Sequence, residues 1–200
     1  MIIGLTGTYC SGKNYTASLL ESRGLPVLDV DKLGYKALEL EKEAINARFG
    51  NDLKKLDKTW QQQNPINRRL LGQVVFGNPE KLAALESIVH PAANRLTDEW
   101  VAAQSGHCVI NAALLHKSSV FERLDLIILV YAPFLTRFFR AKRRDKLPFK
   151  EIKRRFASQK DFYTHYLSKK AEIYRIGNHG LRTNRSIESQ IDKLLIERIK

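Results

Sequence analysis

The sequence predicts an α/β fold, a parallel sheet covered on both faces by helices. Short continuous apolar runs, Ile2 to Leu5, "HCVINAALL" and "DLIILVYA", alternate with segments of helical spacing, as strands buried on both faces and their crossover helices do. The first of these runs enters a glycine loop, "GLTGTYCSGKN", which opens directly into a helical segment. At 200 residues and 44% hydrophobic content, the chain can bury the core of one ordinary domain.

Taken in order, Ile2 to Leu5 reads as a buried strand, and "KNYTASLLESRG" as a helix with Ala17, Leu19 and Leu20 on one face and Gly24 as its stop. "PVLDVD" reads as a second strand with Asp29 and Asp31 at its C-terminal end, where open α/β sheets place ligand chemistry. Tyr35 to Gly106 reads as an inserted helical segment broken by the turn signals "GND", "NP" and "GNP", with His90-Pro91 closing one of its helices. After the strand "DLIILVYA" comes "FLTRFFRAKRRDKLPFKEIKRRFASQK", a basic helical hairpin with Pro148 between its halves. "EIYRI" is a weak last strand. In "SIESQIDKLLIERIK", Ser186 can cap a helix whose apolar face is Ile187, Ile191, Leu194 and Leu195. These segments give a core of residues 1–34, 107–134 and 171–200, a helical subdomain of 35–106 and a lid of 135–170.

The net charge of +13 favours polyanionic partners, which leaves nucleotides, phosphorylated small molecules and nucleic acid open. No apolar run approaches the roughly 20 residues that span a bilayer. "MIIGLTG" has neither the charged start nor the cleavage site of a secretion signal, so the expected location is cytoplasmic, with no membrane partner. Cys10 and Cys108 make neither a disulfide framework nor a metal cluster.

The pattern G-x-x-x-x-G-K-[ST] of phosphate-binding loops is met at Gly7, Gly12 and Lys13. In such a loop successive backbone N–H groups form a nest for phosphate oxygens, the helix behind it adds a positive dipole end, and the lysine reaches the β and γ phosphates. Asn14 stands where a magnesium-binding hydroxyl is expected. A tight strand-to-helix turn without ligand is the plain alternative. Asp29 and Asp31 share a face if the strand continues through both, where one could accept a proton from an attacking hydroxyl or hold a magnesium-bound water. Alternatively, Asp31 caps the next helix. Arg137, Arg140, Arg144 and Arg155 could clamp transferring phosphates beneath a closing lid, or simply form a solvated basic face. A lone His90 is more readily structural than catalytic.

Together these residues resemble dephospho-CoA kinase, a family of the P-loop nucleoside monophosphate kinase-like group, over nearly the whole chain. The resemblance is carried by "GLTGTYCSGK", by "VLDVDKLGYKAL", and most specifically by "INRRLLGQVVFGNPEKLAALESIVHP", whose Arg68, Phe76, Leu85, Glu86, His90 and Pro91 keep the family's order and spacing. "VYAPFLTRFFRAKRRD" with "RRFASQ" is similar to the family's lid, with Arg140, Arg144, Arg155 and Gln159 in matching places. "GNHG", with Asn178, resembles the segment beside the adenine, offset by one residue.

The resemblance implies a three-layer P-loop kinase fold with a parallel sheet, an inserted helical substrate subdomain and a basic helical lid. It implies transfer of the γ-phosphoryl of ATP, with Mg2+, to the ribose 3′-hydroxyl of dephospho-CoA. Lys13, Asp31, Arg140 and Arg144 would be catalytic, and Gly7, Cys10, Ser11, Gly12, Lys13, Asn14, Tyr15 and Asn178 would hold ATP. Asp29, Asp31, Arg68 and His90 would hold the acceptor, and Asn14 and Asn111 would stand at the metal. The chain departs from the family there: Asn14 replaces a Ser or Thr, Asn111 and Ala113 replace an acid followed by Pro, and Lys117 replaces an acid. Two amides contribute no negative charge, so magnesium binding should weaken rather than vanish and the kinase should work, at a reduced rate. A kinase for another small acceptor, or a nucleotide-binding protein with impaired catalysis, shares most of these features; nucleic acid is not an expected partner, and the oligomeric state is not fixed by sequence.

Overall fold

The computed structural model describes residues 1–61, 65–167, 171–179 and 184–199. Five parallel strands, β1 (Ile2–Gly7), β2 (Val27–Asp29), β3 (Cys108–Asn111), β4 (Leu126–Tyr131) and β5 (Glu172–Gly177), form one sheet in the order β2-β3-β1-β4-β5. The helices are α1 (Lys13–Glu21), α2 (Val30–Leu40), α3 (Lys42–Leu56), α4 (Arg68–Val75), α5 (Pro79–Ala102), α6 (Phe134–Asp145), α7 (Phe149–Ala157), α8 (Thr164–Leu167) and α9 (Asn184–Arg198). None of these helices is long and apolar enough to cross a membrane. The α/β class and the parallel sheet expected from the apolar runs are what is found.

Contacts divide the chain into two units, Met1–Asp29 with Val101–Lys200, and Val30–Trp100. The first holds the sheet. β1 alternates strictly: Ile3 and Leu5 meet Ala17 and Leu20 of α1, Leu126, Ile128 and Val130 of β4, and Ile187, Ile191 and Leu194 of α9. The opposite face is polar in one place, where the Thr6 hydroxyl lies 3.4 Å from the buried Tyr166 hydroxyl and the latter lies 3.4 Å from His116 Nδ1. His116 stacks on His165 with ring centroids 4.1 Å apart. Burial lowers the His116 pKa, and the neighbouring His165 and Lys117 push it the same way.

A depressed histidine stabilises the fold fully above the ordinary imidazole range, and that contribution is lost as pH falls toward its lowered value. Thermal midpoints should therefore drop by a few degrees on acidification from pH 7 to 5.5, and His116→Gln, which keeps a hydrogen-bonding group, should flatten that slope. Calorimetry across the interval checks it.

The second unit is built on helices. Ile45, Phe49 and Leu53, one helical turn apart on α3, bury against Leu70, Leu71, Val74 and Val75 of α4, with Leu82, Leu85, Ile88 and Val89 of α5 completing the cluster. Asn67 caps α4 by accepting a hydrogen bond from the Leu70 N–H at 3.1 Å. Lys81 pairs with Asp52 at 2.7 Å.

Several expectations are corrected. "GND" does not break a helix, because α3 continues through Gly50 to keep Phe49 and Leu53 buried, while the Trp60 ring closes over Gly50. Pro91 does not end one either: α5 runs through it, and the apolar stripe of Ile88, Val89 and the fully buried Ala92 outweighs one lost backbone hydrogen bond. β2 stops at Asp29 and Val30 opens α2, so Asp31 lies in a helical first turn and not beside Asp29 on a strand. A carboxylate there gains from the helix dipole. The last helix starts at Asn184, two residues ahead of the expected cap; the Ser186 side chain, "NP" at Asn64 and Gly180 lie outside the described residues.

Candidate active site

The C-terminal ends of β1 and β3 carry the site. β1 ends at Gly7, where a Cβ would stand 2.5 Å from the Val130 carbonyl oxygen. The chain then turns with Cys10 at φ 60° and Gly12 at φ 103°, while the Ser11 N–H donates to the Thr8 carbonyl at 2.9 Å. Left-handed residues within a turn fold successive N–H groups toward one point, the nest that binds anions. Gly12 is the N-cap of α1 and has no side chain to satisfy the orphan donors of the first turn, so these point into the loop with the positive dipole end behind them. The Thr8 and Ser11 hydroxyls are buried and have no hydrogen-bond partner among the described residues, which leaves two more groups able to meet a polyanion.

Lys13 opens α1 and its Nζ donates to Asn111 Oδ1 at 2.6 Å. Asn111 is buried at the end of β3, in register with Leu5 of β1 and Asp29 of β2, and its Nδ2 reaches Asn14 Oδ1 at 3.4 Å. The two amides singled out at the metal position thus stand in one chain of hydrogen bonds with Lys13. Tyr15 is exposed on the first turn of α1.

Helix α6 closes the other side. Arg140 donates to the Ser11 carbonyl at 3.2 Å, to the Cys10 carbonyl at 3.5 Å and to Asn178 Oδ1 at 2.6 Å. Asn178 in turn donates its Nδ2 to the Ser11 carbonyl at 2.8 Å and its backbone N–H to Tyr131. Asn178 therefore braces the loop from its carbonyl side, against Gly12, with Arg140 as its partner. Burial lowers the Arg140 pKa and raises that of the Cys10 thiol, which stays protonated at neutral pH. Cys10, Gly12, Arg140, Arg143 and Arg144 line a cleft of about 440 Å³.

Arg144 donates to Asp145 at 2.7 Å and Arg155 does so at 3.3 Å. The Arg144 guanidinium, with Tyr9 and Arg155, holds the Asp145 carboxyl down at about 2, and the Arg144 pKa rises in return. Arg137 lies over the Phe156 ring at 4.7 Å, and burial lowers its pKa. Tyr9 and Asp145, both in this cluster, were not among the residues singled out from sequence. The signals were an aromatic inside a glycine loop and a single acid in the basic run from Phe134 to Lys150.

Three expected acceptor residues lie in the helical unit. Asp31 is in the first turn of α2; Arg68 starts α4 with its guanidinium over the Tyr35 ring at 4.1 Å; His90 is midway along α5. Tyr35, Ile66, Asn67, Arg68 and Arg69 line an open groove of about 630 Å³.

A family model described as dephospho-CoA kinase matches residues 1–172. A dephospho-CoA kinase of Treponema denticola is 32% identical over 184 residues, covering 89% of this chain and 82% of the relative. One from Shouchella clausii is 34% identical, covering 92% of each chain. A crystal structure of a Thermus thermophilus protein superposes with a TM-score of 0.80 at 29% identity, covering 100% of this chain and 98% of that one. The anion nest with its lysine, the basic helices closing on it and a family match that runs through the helical unit agree: this chain belongs to the dephospho-CoA kinase family.

Proposed function

We infer that this chain transfers the γ-phosphoryl of ATP to the ribose 3′-hydroxyl of dephospho-CoA, giving CoA and ADP, the last step of CoA synthesis. The observation that carries the reading is the loop from Gly7 to Asn14, a phosphate nest with Lys13 at its mouth, in a chain matched by the family model over residues 1–172. Phosphoryl transfer needs positioning and charge neutralisation more than covalent help. Gly7, Cys10, Ser11, Gly12, Asn14 and Tyr15 would cradle the triphosphate, Lys13 would bridge to its γ-phosphate, and Asn178 would hold the loop's carbonyl side. Asp31 would orient or deprotonate the acceptor hydroxyl, Asp29 would stand beside Asn111, and Arg68 and His90 would contact the acceptor. Arg140 and Arg144 would turn from loop and Asp145 toward the phosphates as charge develops.

Asn14 and Asn111 suit a hard, oxygen-preferring cation, and among the described residues no cluster of three acidic, His or Cys side chains offers more. Such a donor set fits magnesium carried mainly by nucleotide phosphates and water, with Asn14 and Asn111 as the protein groups that would stand at it. Bound magnesium neutralises charge on the β and γ phosphates. Asn14→Ser, which installs the hydroxyl, should lower the magnesium concentration for half-maximal rate by about threefold to tenfold. Magnesium titrations of both proteins at saturating ATP decide it. One kinase domain at work in the cytoplasm suits this chemistry. ADP release measured with dephospho-CoA, adenosine and AMP tests the acceptor: the reading requires dephospho-CoA to be preferred strongly, and equal rates with all three would sink it.

A further inference from the structure

We propose that Tyr9 is a positioning residue for this phosphoryl transfer, the post on which the basic lid docks before nucleotide arrives. The proposal rests on the kinase reading above, but its evidence is independent of it. Tyr9 sits in the anion loop, yet its backbone N–H and side chain meet five residues of the lid. Its backbone N–H donates to Gln159 Oε1 at 2.6 Å, and its hydroxyl donates to Asp145. Arg155 donates to that hydroxyl at 3.4 Å. The guanidiniums of Arg144 and Arg155 lie 5.3 and 5.4 Å from the centre of its ring, and Phe156 meets it edge-on at 5.7 Å.

One side chain of the loop thus gathers Arg144 and Arg155, and Asp145, bonded to its hydroxyl, pairs with both cations. Two charges that must both meet the bound nucleotide are costly to collect one at a time, and a prearranged pair avoids that cost. The ring provides a sequence-local way to do so, because a face of π electrons attracts guanidinium without neutralising it. Asp145 does neutralise, so nucleotide must draw the arginines off the carboxylate while the Tyr9 ring keeps their guanidiniums beside the loop.

The test compares the parent chain with Tyr9→Phe, which keeps the ring, and Tyr9→Leu, which keeps only bulk. With dephospho-CoA as acceptor, kcat/KM for ATP should fall roughly threefold in Tyr9→Phe and about tenfold or more in Tyr9→Leu, mainly through KM for ATP. KM for dephospho-CoA should not move. Nucleotide-free Tyr9→Leu should also be cut faster by trypsin between residues 142 and 155, with the rest of the chain resisting as in the parent. A merely structural role would lower the active fraction and leave every KM alone. If both variants stay within twofold of the parent in KM for ATP and in lid cleavage, the proposal is overturned. If the parent itself does not consume dephospho-CoA, the kinase reading fails instead, and lid cleavage alone still decides whether Tyr9 docks the lid.

Discussion

Lys13→Ala should reduce turnover by about a hundredfold to a thousandfold, the loss seen when one preorganised charge donor is removed from a reacting centre. Lys13 opens α1 at the positive end of the helix, and its Nζ lies 2.6 Å from Asn111 Oδ1, so the ammonium is held at the mouth of the nest before substrate binds. Without it, the γ-phosphate loses a cation that tracks it through transfer. Asn111 is buried and would lose a strong donor to its carbonyl, which costs about 1–3 kcal/mol of stability and lowers the thermal midpoint by several degrees. The variant should remain folded at 25 °C. Steady-state kinetics with ATP and dephospho-CoA, alongside a melting curve, separates the two effects. A Lys13→Ala protein of undiminished activity removes the loop from the chemistry.

Gly12→Ala should be at least as damaging, for a steric reason. Gly12 has φ 103°, a region that costs a residue bearing a Cβ about 1–2 kcal/mol, and the new methyl would overlap the Asn178 side-chain amide. Relief requires either the loop to flatten, which disperses the nest, or Asn178 to move, which releases Arg140 and the Ser11 carbonyl together. Turnover should fall by more than about a hundredfold. Gly24→Ala makes the control: φ is 86°, but nothing lies within 4 Å of the added Cβ. That variant should lose about 1 kcal/mol of stability and keep its kinetics. Equal kinetics for the two alanine variants would contradict the assignment of Gly12 to the phosphate site.

The sheet was legible because a strand buried on both faces reads as a near-continuous apolar run, as β4 does throughout and β1 does from Ile2 to Leu5. The loop was legible because its glycines and Lys13 stand at fixed spacing. Helix ends were harder. Gly50 and Pro91 are breakers by local preference, and both lie inside helices because Phe49, Leu53, Ile88 and Val89 need burial more than the backbone needs relief. Asp31 was misplaced for the opposite reason: two alternating acids after a short apolar run read as strand, whereas the helix begins one residue before Asp31. In the site, Asn14, Asn111 and Lys13 could be named singly, but their hydrogen-bond chain depends on the register of β3 beside β1, over ninety residues away in sequence. Tyr9 and Asp145 pair across a similar gap, and no local pattern marks them as partners.

Phosphoryl transfer to dephospho-CoA should survive the amides at Asn14 and Asn111. It is tested most directly by incubating the purified chain with γ-labelled ATP, magnesium and dephospho-CoA and following the label. Label should appear on the ribose 3′-oxygen of newly formed CoA, with one ADP released per CoA. Unlabelled dephospho-CoA recovered intact, under conditions where a control kinase of the family converts it and this chain binds ATP, would contradict it.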